Sequence, residues 1–276
     1  MSFLIAISRT GIPKHPAVDN IFTLNNAGIT FTMFADGSVH REQVGGVDDF
    51  TFAGSADGLW LFTIRYRKKG SCLEIEKSTV AGMPVYYCLD GKGAFFCSTS
   101  IALLRSTGVS IEENRRVLPE YFCYRCVMPP NTLYRGISQL PFGGRIRVSI
   151  YSGRCSVDEV SSFHAPLPYL DDSTAAAANG IRDRIEAAVT TAGVGTEETA
   201  VLLSGGIDSS VLWQICRKTT GLNASYSTSF PFEDPALDVE RRYAISAGEG
   251  FGSKHAHYVP ETVQYVRSIV TSIALA

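Results

Sequence analysis

Hydrophobic and polar positions change rhythm near residue 162. Before it, short β-type runs recur at Ile21–Leu24, Thr30–Phe34, Leu59–Tyr66, Pro84–Leu89, Ala94–Cys97 and Arg145–Ile150. Turns such as Ala35-Asp36-Gly37, Asp90-Gly91-Lys92-Gly93 and Phe142-Gly143-Gly144 separate them. Met1 to Ile7 is apolar, too short for a membrane span, and lacks the basic flank and cleavage site of a secretory signal. It reads as a first strand. Asn114 to Cys126 reads as a helix in this otherwise β-rich region.

Residues 162–172, with Pro166 and Pro168, form the candidate linker, and Ser173 offers an N-cap for a helix to about Thr191. Strand and helix patterns then alternate. Strands are predicted at Thr199–Leu203, Asn223–Phe230 and His255–Val259, and helices at Ser209–Lys218, Asp238–Glu249 and Glu261–Ile273. This is the rhythm of a parallel α/β sheet with helices on its faces. In such sheets ligands lie beyond the carboxyl ends of the strands, where Ser204–Asp208 and Ser227-Thr228-Ser229 both fall. No internal repeat or low-complexity tract interrupts the pattern.

The stretch Leu202-Leu203-Ser204-Gly205-Gly206-Ile207-Asp208-Ser209-Ser210 joins the first of these strands to its helix, which should carry Val211, Leu212 and Ile215 inward. Two glycines let the backbone bend and approach an anion without a Cβ in the way, and amides opening the helix point unpaired N–H groups at it. Ser204, Ser209 and Ser210 add hydroxyls, and Asp208 supplies a hard oxygen suited to Mg²⁺. The loop reads as a pyrophosphate cradle; the plainer alternative is a tight strand-to-helix turn, which favours the same residues. It lacks the lysine of a Walker A loop, which disfavours γ-phosphoryl transfer.

At 276 residues the chain is long enough for two domains, and 45% hydrophobic against 19% charged residues describe a soluble globular protein. A net charge of −2, with no basic tract interleaved with aromatics, gives no reason to expect a nucleic-acid partner. No membrane association is expected either. The seven cysteines are odd in number and scattered, which fits reduced thiols in a cytoplasmic protein. Cys123 and Cys126 form one CxxC without a second pair; two apolar side chains on a buried helix face are expected there, ahead of a metal or redox role. His255 and His257 alternate along a strand, and surface or core packing is their expected role, a place near a nucleotide the alternative.

Ser-Gly-Gly-Ile-Asp-Ser-Ser resembles the signature of the PP-loop ATP pyrophosphatases, which cleave ATP between its α- and β-phosphates. Further stretches, in one order, resemble the asparagine synthetase family, which includes β-lactam synthetases and lasso-peptide cyclases. In the first region these are Asp57-Gly58-Leu59-Trp60-Leu61-Phe62, Gly82-Met83-Pro84-Val85-Tyr86-Tyr87, Leu118-Pro119-Glu120-Tyr121-Phe122, Thr132 to Ile137 and Leu140-Pro141-Phe142-Gly143. In the second they are Ser225 to Phe230, Asp238, Tyr243-Ala244, Phe251-Gly252-Ser253 and His255. The likeness covers roughly Asp57 to Ala276.

The resemblance implies an α+β, Ntn-hydrolase-like and glutamine-amidotransferase-like domain over residues 1–161, with 162–172 as linker. Over residues 173–276 it implies an α/β parallel-sheet PP-loop domain of the adenine nucleotide alpha hydrolase type. By the same resemblance Ser204, Gly205, Gly206, Asp208 and Ser209 would hold pyrophosphate and its Mg²⁺, with Asp208 the metal ligand, while Leu202 and Thr228 would present backbone groups to adenine.

Two departures qualify this. Glutamine-hydrolysing members expose a cysteine after removal of Met1, where this sequence has Ser2, and the first fifty residues show no counterpart of the family's glutamine-binding elements. A serine without a dedicated base is a far weaker nucleophile, so a degenerate first domain without glutaminase activity is expected. The sequence also stops at Ala276, before the family's Gly-Glu-Gly-x-Asp-Glu motif and acceptor-side residues, so the second domain is expected to be C-terminally incomplete, with its catalytic residues unassigned. The expected activity is that of an ATP-dependent, AMP-forming amide ligase acting on a small-molecule or peptide carboxylate. The alternative is a catalytically silent truncated nucleotide-binding subunit or pseudoenzyme that needs a C-terminal partner; a C-terminal synthetase fragment or a second copy of the chain is the partner expected in either case.

Overall fold

The computed structural model describes residues 3–8, 19–26, 29–35, 39–42, 49–56, 59–67, 69–79, 82–162, 173–191, 199–231, 235–250, 252 and 254–275. Ser2, Asp57, Gly58 and the predicted linker apart from Ser162 lie outside these. The chain divides into two compact units, Met1–Leu167 and Pro168–Ala276.

The first unit is built on two six-stranded antiparallel sheets. Its strands are β1 (Phe3–Ser8), β2 (Asp19–Asn26), β3 (Ile29–Ala35), β4 (Val39–Glu42), β5 (Phe50–Ala56), β6 (Leu59–Arg67), β7 (Cys72–Lys77), β8 (Tyr86–Leu89), β9 (Phe95–Ser98), β10 (Ser138–Gln139), β11 (Gly144–Tyr151) and β12 (Arg154–Ser162). One sheet has the order β10-β8-β9-β1-β3-β2 and the other β12-β11-β7-β6-β5-β4. Phe3, Ile5 and Ile7 of the first sheet share a core with Phe52, Phe62, Ile64 and Ile75 of the second, and the rings of Phe3 and Phe62 lie 4.6 Å apart. The opposite side of β1, Leu4 and Ala6, packs with Leu103 and Leu104 of helix α1 (Ile101–Ser106). Burial on both faces explains why β1 reads as an unbroken apolar run.

In β7, by contrast, Leu73 and Ile75 are fully buried while Glu74 and Glu76 are only partly so; Glu76 pairs with Arg65 at 2.7 Å and with Arg145. Strands β4, β5, β7, β10 and β12 and helix α1 were not legible as separate elements from local pattern. They are short or half-polar, and their cross-strand partners complete them.

The predicted helix over Asn114–Cys126 is shorter than expected. A 3₁₀ turn at Arg115–Val117 leads into α2 (Leu118–Tyr124), with Pro119 in the first turn, where its missing N–H costs nothing. Arg125 then takes a left-handed conformation (φ 59°) and its N–H caps onto the Tyr121 carbonyl at 2.7 Å. Cys126 therefore falls past the helix end, and both Cys123 and Cys126 are exposed, correcting the expectation of a buried face.

The second unit alternates as expected: α3 (Thr174–Thr191), β13 (Val201–Leu202), α4 (Ile207–Thr220), β14 (Ala224–Thr228), α5 (Pro235–Gly250), β15 (Lys254–Tyr258) and α6 (Thr262–Leu275). Ser173 caps α3, accepting the Ala176 N–H at 3.2 Å. The three strands are parallel in the order β13-β14-β15, pairing Val201 with Ser225 and Ser225 with His255. Val189, Val201, Leu203, Trp213, Ile215 and Cys216 form the core beneath them.

The inward face of α4 is thus Trp213, Ile215 and Cys216, while Val211 and Leu212 are 45% and 41% exposed. Val211, Leu212, Trp213, Ile215 and Cys216 wrap around the helix, so apolarity alone does not select a face; the packing of α3 and β13 does. Val263, Val266, Ile269 and Val270 give α6 an exposed apolar surface. No described helix is long and apolar enough to cross a membrane.

Candidate functional site

The carboxyl ends of β13 and β14 open onto a cleft walled by Leu202, Ser204, Thr228 and Ser229 on the sheet side and by Arg241 and Ala244 of α5 on the other. Beside it lies the turn 203–206 and the start of α4. Gly205 has φ +78°, a left-handed conformation that only glycine adopts without strain. The turn lies so close to α5 that a Cβ on Gly205 would meet the Tyr243 carbonyl carbon at 2.4 Å. Gly206 is the extended N-cap residue of α4 (φ −73°, ψ 165°), and among the described residues no side chain caps the helix.

Hydroxyl groups brace this turn from within. Ser209 Oγ accepts the Ser204 N–H at 3.3 Å and donates to the Gly206 carbonyl at 3.2 Å. A serine has one hydroxyl proton, so in the 2.9 Å contact between the two hydroxyls Ser204 Oγ donates and Ser209 Oγ accepts. Ser204 Oγ in turn accepts the Gly206 N–H at 3.4 Å. The first-turn amides of α4 have no helical carbonyl to bond, and with no side-chain cap among the described residues they remain available to an anion. The 14-residue helix adds the positive end of its dipole, while Arg217 and Lys218 in its last turn offset the negative end.

Of the residues singled out from sequence, Leu202, Ser204 and Thr228 line the cleft, and Gly205, Gly206, Asp208 and Ser209 form the adjoining turn and first helical turn. Asp208 is exposed at the helix start. Among the described residues no group of three or more His, Cys, Asp and Glu is placed to hold a metal by protein ligands alone. Leu202 exposes 58% of its surface, which suits a backbone contact more than a packing role. Sequence reasoning passed over Glu240 and Arg241. Their helical spacing with Ala244 puts them on one face of α5, but nothing local says that this face meets the cleft.

A family model described as a glutamine amidotransferase domain matches residues 39–157, inside the first unit, and one described as asparagine synthase matches residues 180–273, inside the second. The chain belongs to the asparagine synthetase family. No curated protein matches it. Membership places the second unit among ATP-dependent amide ligases, a class of carbon–nitrogen ligases, and the turn Ser204–Ser209 and its cleft both lie inside the asparagine synthase match.

Proposed function

We propose that the second unit binds Mg²⁺-ATP with its pyrophosphate at the start of α4 and its adenine in the cleft, and that it serves as the ATP-binding unit of an AMP-forming amide ligase. In this reading the second unit has the PP-loop fold and the first the Ntn-hydrolase-like one. The observation that carries it is the uncapped N-terminus of α4, entered through the braced turn Ser204–Gly206 at the carboxyl edge of a parallel sheet. Bound there, ATP supplies an AMP leaving group in place of the poor oxide leaving group of a carboxylate. The α4 amides would hold the charge of departing pyrophosphate, and the Ser204 and Ser209 hydroxyls, which brace the turn, would join them by rotating toward it. Asp208 would contribute one carboxylate oxygen to Mg²⁺, a cation that takes most of its other ligands from phosphate and water. Leu202 and Thr228 would meet the adenine edge through backbone groups.

The nitrogen would come from ammonia or a substrate amine, and the carboxylate from a small molecule or a peptide side chain. Cysteine chemistry in the core of the first unit is disfavoured. Burial pushes the Cys88 thiol up to about 12 and the Cys155 thiol up to about 11, and holds the Cys97 thiol well above its ordinary value, so none of the three offers a thiolate near neutral pH. Ser2, standing where glutamine-hydrolysing members have their cysteine, supports a first unit that does not hydrolyse glutamine. The exposed apolar surface of α6 supports self-association of the chain.

Calorimetric titration with ATP, with and without Mg²⁺, tests the binding site; pyrophosphate release on adding carboxylates tests the ligase reading. Tight Mg²⁺-dependent binding without pyrophosphate release would favour a nucleotide-binding subunit. No binding at all would refute the proposal.

A further inference from the structure

Strands β14 and β15 carry serines and histidines on one face at alternate positions. The parallel register sets Ser225 beside His255 and Ser227 beside His257, and alternation places all of them, with Ser229, on the same side. They form one continuous line. Ser225 Oγ lies 2.9 Å from His255 Nδ1, and His255 Nε2 lies 3.0 Å from Ser227 Oγ. Ser227 Oγ lies 2.8 Å from His257 Nδ1, and His257 Nε2 lies 3.1 Å from Ser229 Oγ. Both nitrogens of both rings are engaged, Ser225 and Ser227 are buried, and Ser227 and Ser229 line the cleft. Helix α5 closes over the buried end, where Gly248 sits so near that a Cβ would meet His255 Cγ at 2.5 Å.

Such a line couples its members. A neutral imidazole has one N–H and one bare nitrogen, and Ser227 has a single hydroxyl proton. With both rings neutral, every group donates to the next in one sense along the line. With both rings protonated, Ser227 would face an N–H from each side, its own proton would have no acceptor in the line, and two cations would flank one hydroxyl.

We propose that His255 and His257 are positioning residues for the cleft, acting as one unit: two neutral rings joined through Ser227 hold Ser229 and the Thr228 backbone in place, and the cleft loses its hold on a nucleoside when both rings take up protons. The inference rests on the nucleotide reading of the cleft given above. The surroundings agree with it. Burial lowers the proton affinity of both rings, Arg241 of α5 and His255 itself lower that of His257, and Glu249 of α5 acts in the opposite direction on His255. From β14 the groups that hydrogen-bond to the rings are the serines Ser225, Ser227 and Ser229.

The test uses adenosine, which has no phosphate to titrate or to respond to added positive charge. Its affinity for the full chain is measured at about pH 7.5 and about pH 5.5, either side of the ordinary histidine range. The expected result is a loss of about tenfold or more at the acidic value. In a His255→Gln, His257→Gln double variant, shown by circular dichroism to be folded, the two affinities should agree within roughly twofold, whatever their level. Nitrogen NMR of the imidazoles in the unaltered chain is the companion measurement, for use also where the variant does not fold. It should show two neutral rings, each in a single tautomer, at the higher pH. Adenosine affinity that does not change with pH, an unchanged acidic loss in the double variant, or two rings that titrate independently like exposed histidines would each overturn the inference. Failure of the unaltered chain to bind Mg²⁺-ATP at the higher pH would overturn the nucleotide reading and this inference with it. ATP binding with pH-independent adenosine affinity would overturn this inference alone.

Discussion

Gly205 is seated directly against the backbone of Tyr243: a Cβ added to the glycine would stand 2.4 Å from the Tyr243 carbonyl carbon and 2.5 Å from the Ala244 nitrogen. This contact ties the turn after β13 to α5, the two elements that flank the cleft. Gly206, its neighbour, has ordinary extended geometry, and a Cβ there would meet only Ser204 Oγ, at 3.4 Å. The two glycines therefore separate cleanly under substitution. Gly205→Ala should lower stability by at least about 2 kcal/mol, from the left-handed strain and the clash, and abolish ATP binding. Gly206→Ala should cost under about 1 kcal/mol. Urea unfolding of the two variants reads the difference, and equal losses would show that the turn is not braced against α5.

Asp208→Ala should leave the fold intact, because the side chain is exposed at a helix start. Mg²⁺-dependent ATP affinity should fall by about tenfold or more, as expected on removing one carboxylate from a hard-cation site. Calorimetry in Mg²⁺ measures it; the same affinity in both proteins would remove Asp208 from the site.

Ser209→Ala removes the acceptor of the Ser204 N–H and of the Ser204 hydroxyl, and the donor to the Gly206 carbonyl. All these groups are solvent-accessible, so the stability loss should be modest, about 1 kcal/mol, while ATP affinity should fall more steeply because the turn loses its brace. A thermal melt beside an ATP titration distinguishes the two effects.

Trp213 is fully buried in the core of the second unit, and its Nε1–H has no hydrogen-bond partner among the described residues. Trp213→Ala should cost about 3–5 kcal/mol through the cavity it leaves. Trp213→Phe should cost under about 2 kcal/mol, because removing an unsatisfied buried donor offsets part of the lost packing. Denaturant midpoints of the two variants check the ordering.

Stability should also depend on pH through His255 and His257. Both take up protons less readily in the folded chain than in the unfolded one, so the unfolded state binds more protons between the two values. Their contribution is therefore complete above the ordinary histidine value, about 6.5, and is lost as pH falls through it toward the lowered folded values. Melting temperature should rise from acidic to neutral pH, and this rise should shrink in His255→Gln, His257→Gln. A melting temperature that falls as pH rises through this range would contradict the assigned direction.

Much of the second unit was legible because its signals are local. The cap at Ser173, the small residues of 204–206 and the alternation of strand and helix patterns depend on neighbours a few residues away, and the structure has α3, β13 and α4 in those places. The α4 start differs by two residues, since Ile207 and Asp208 already belong to the helix. In the first unit the strands buried on both faces stood out, but β5, β7 and β12 are recognisable only once their partners in the sheet are known. The CxxC pair was misread for the same reason: whether a short helix is covered depends on what packs on it, and here Phe122 and Tyr124 are 72% and 70% exposed beside it.

By itself, the order of residues determined that a strand must turn into a helix through Ser204–Gly206 with free amides at its start, since sterics and hydrogen bonding within a few residues settle that. Which face of α4 turns inward, the seat of Gly205 on Tyr243, the arrival of Arg241 at the cleft and the joining of Ser225, Ser227 and Ser229 to His255 and His257 were decided only by tertiary structure. Each of these depends on the register between elements far apart in sequence. That register comes from packing the whole unit at once, and no local pattern encodes it.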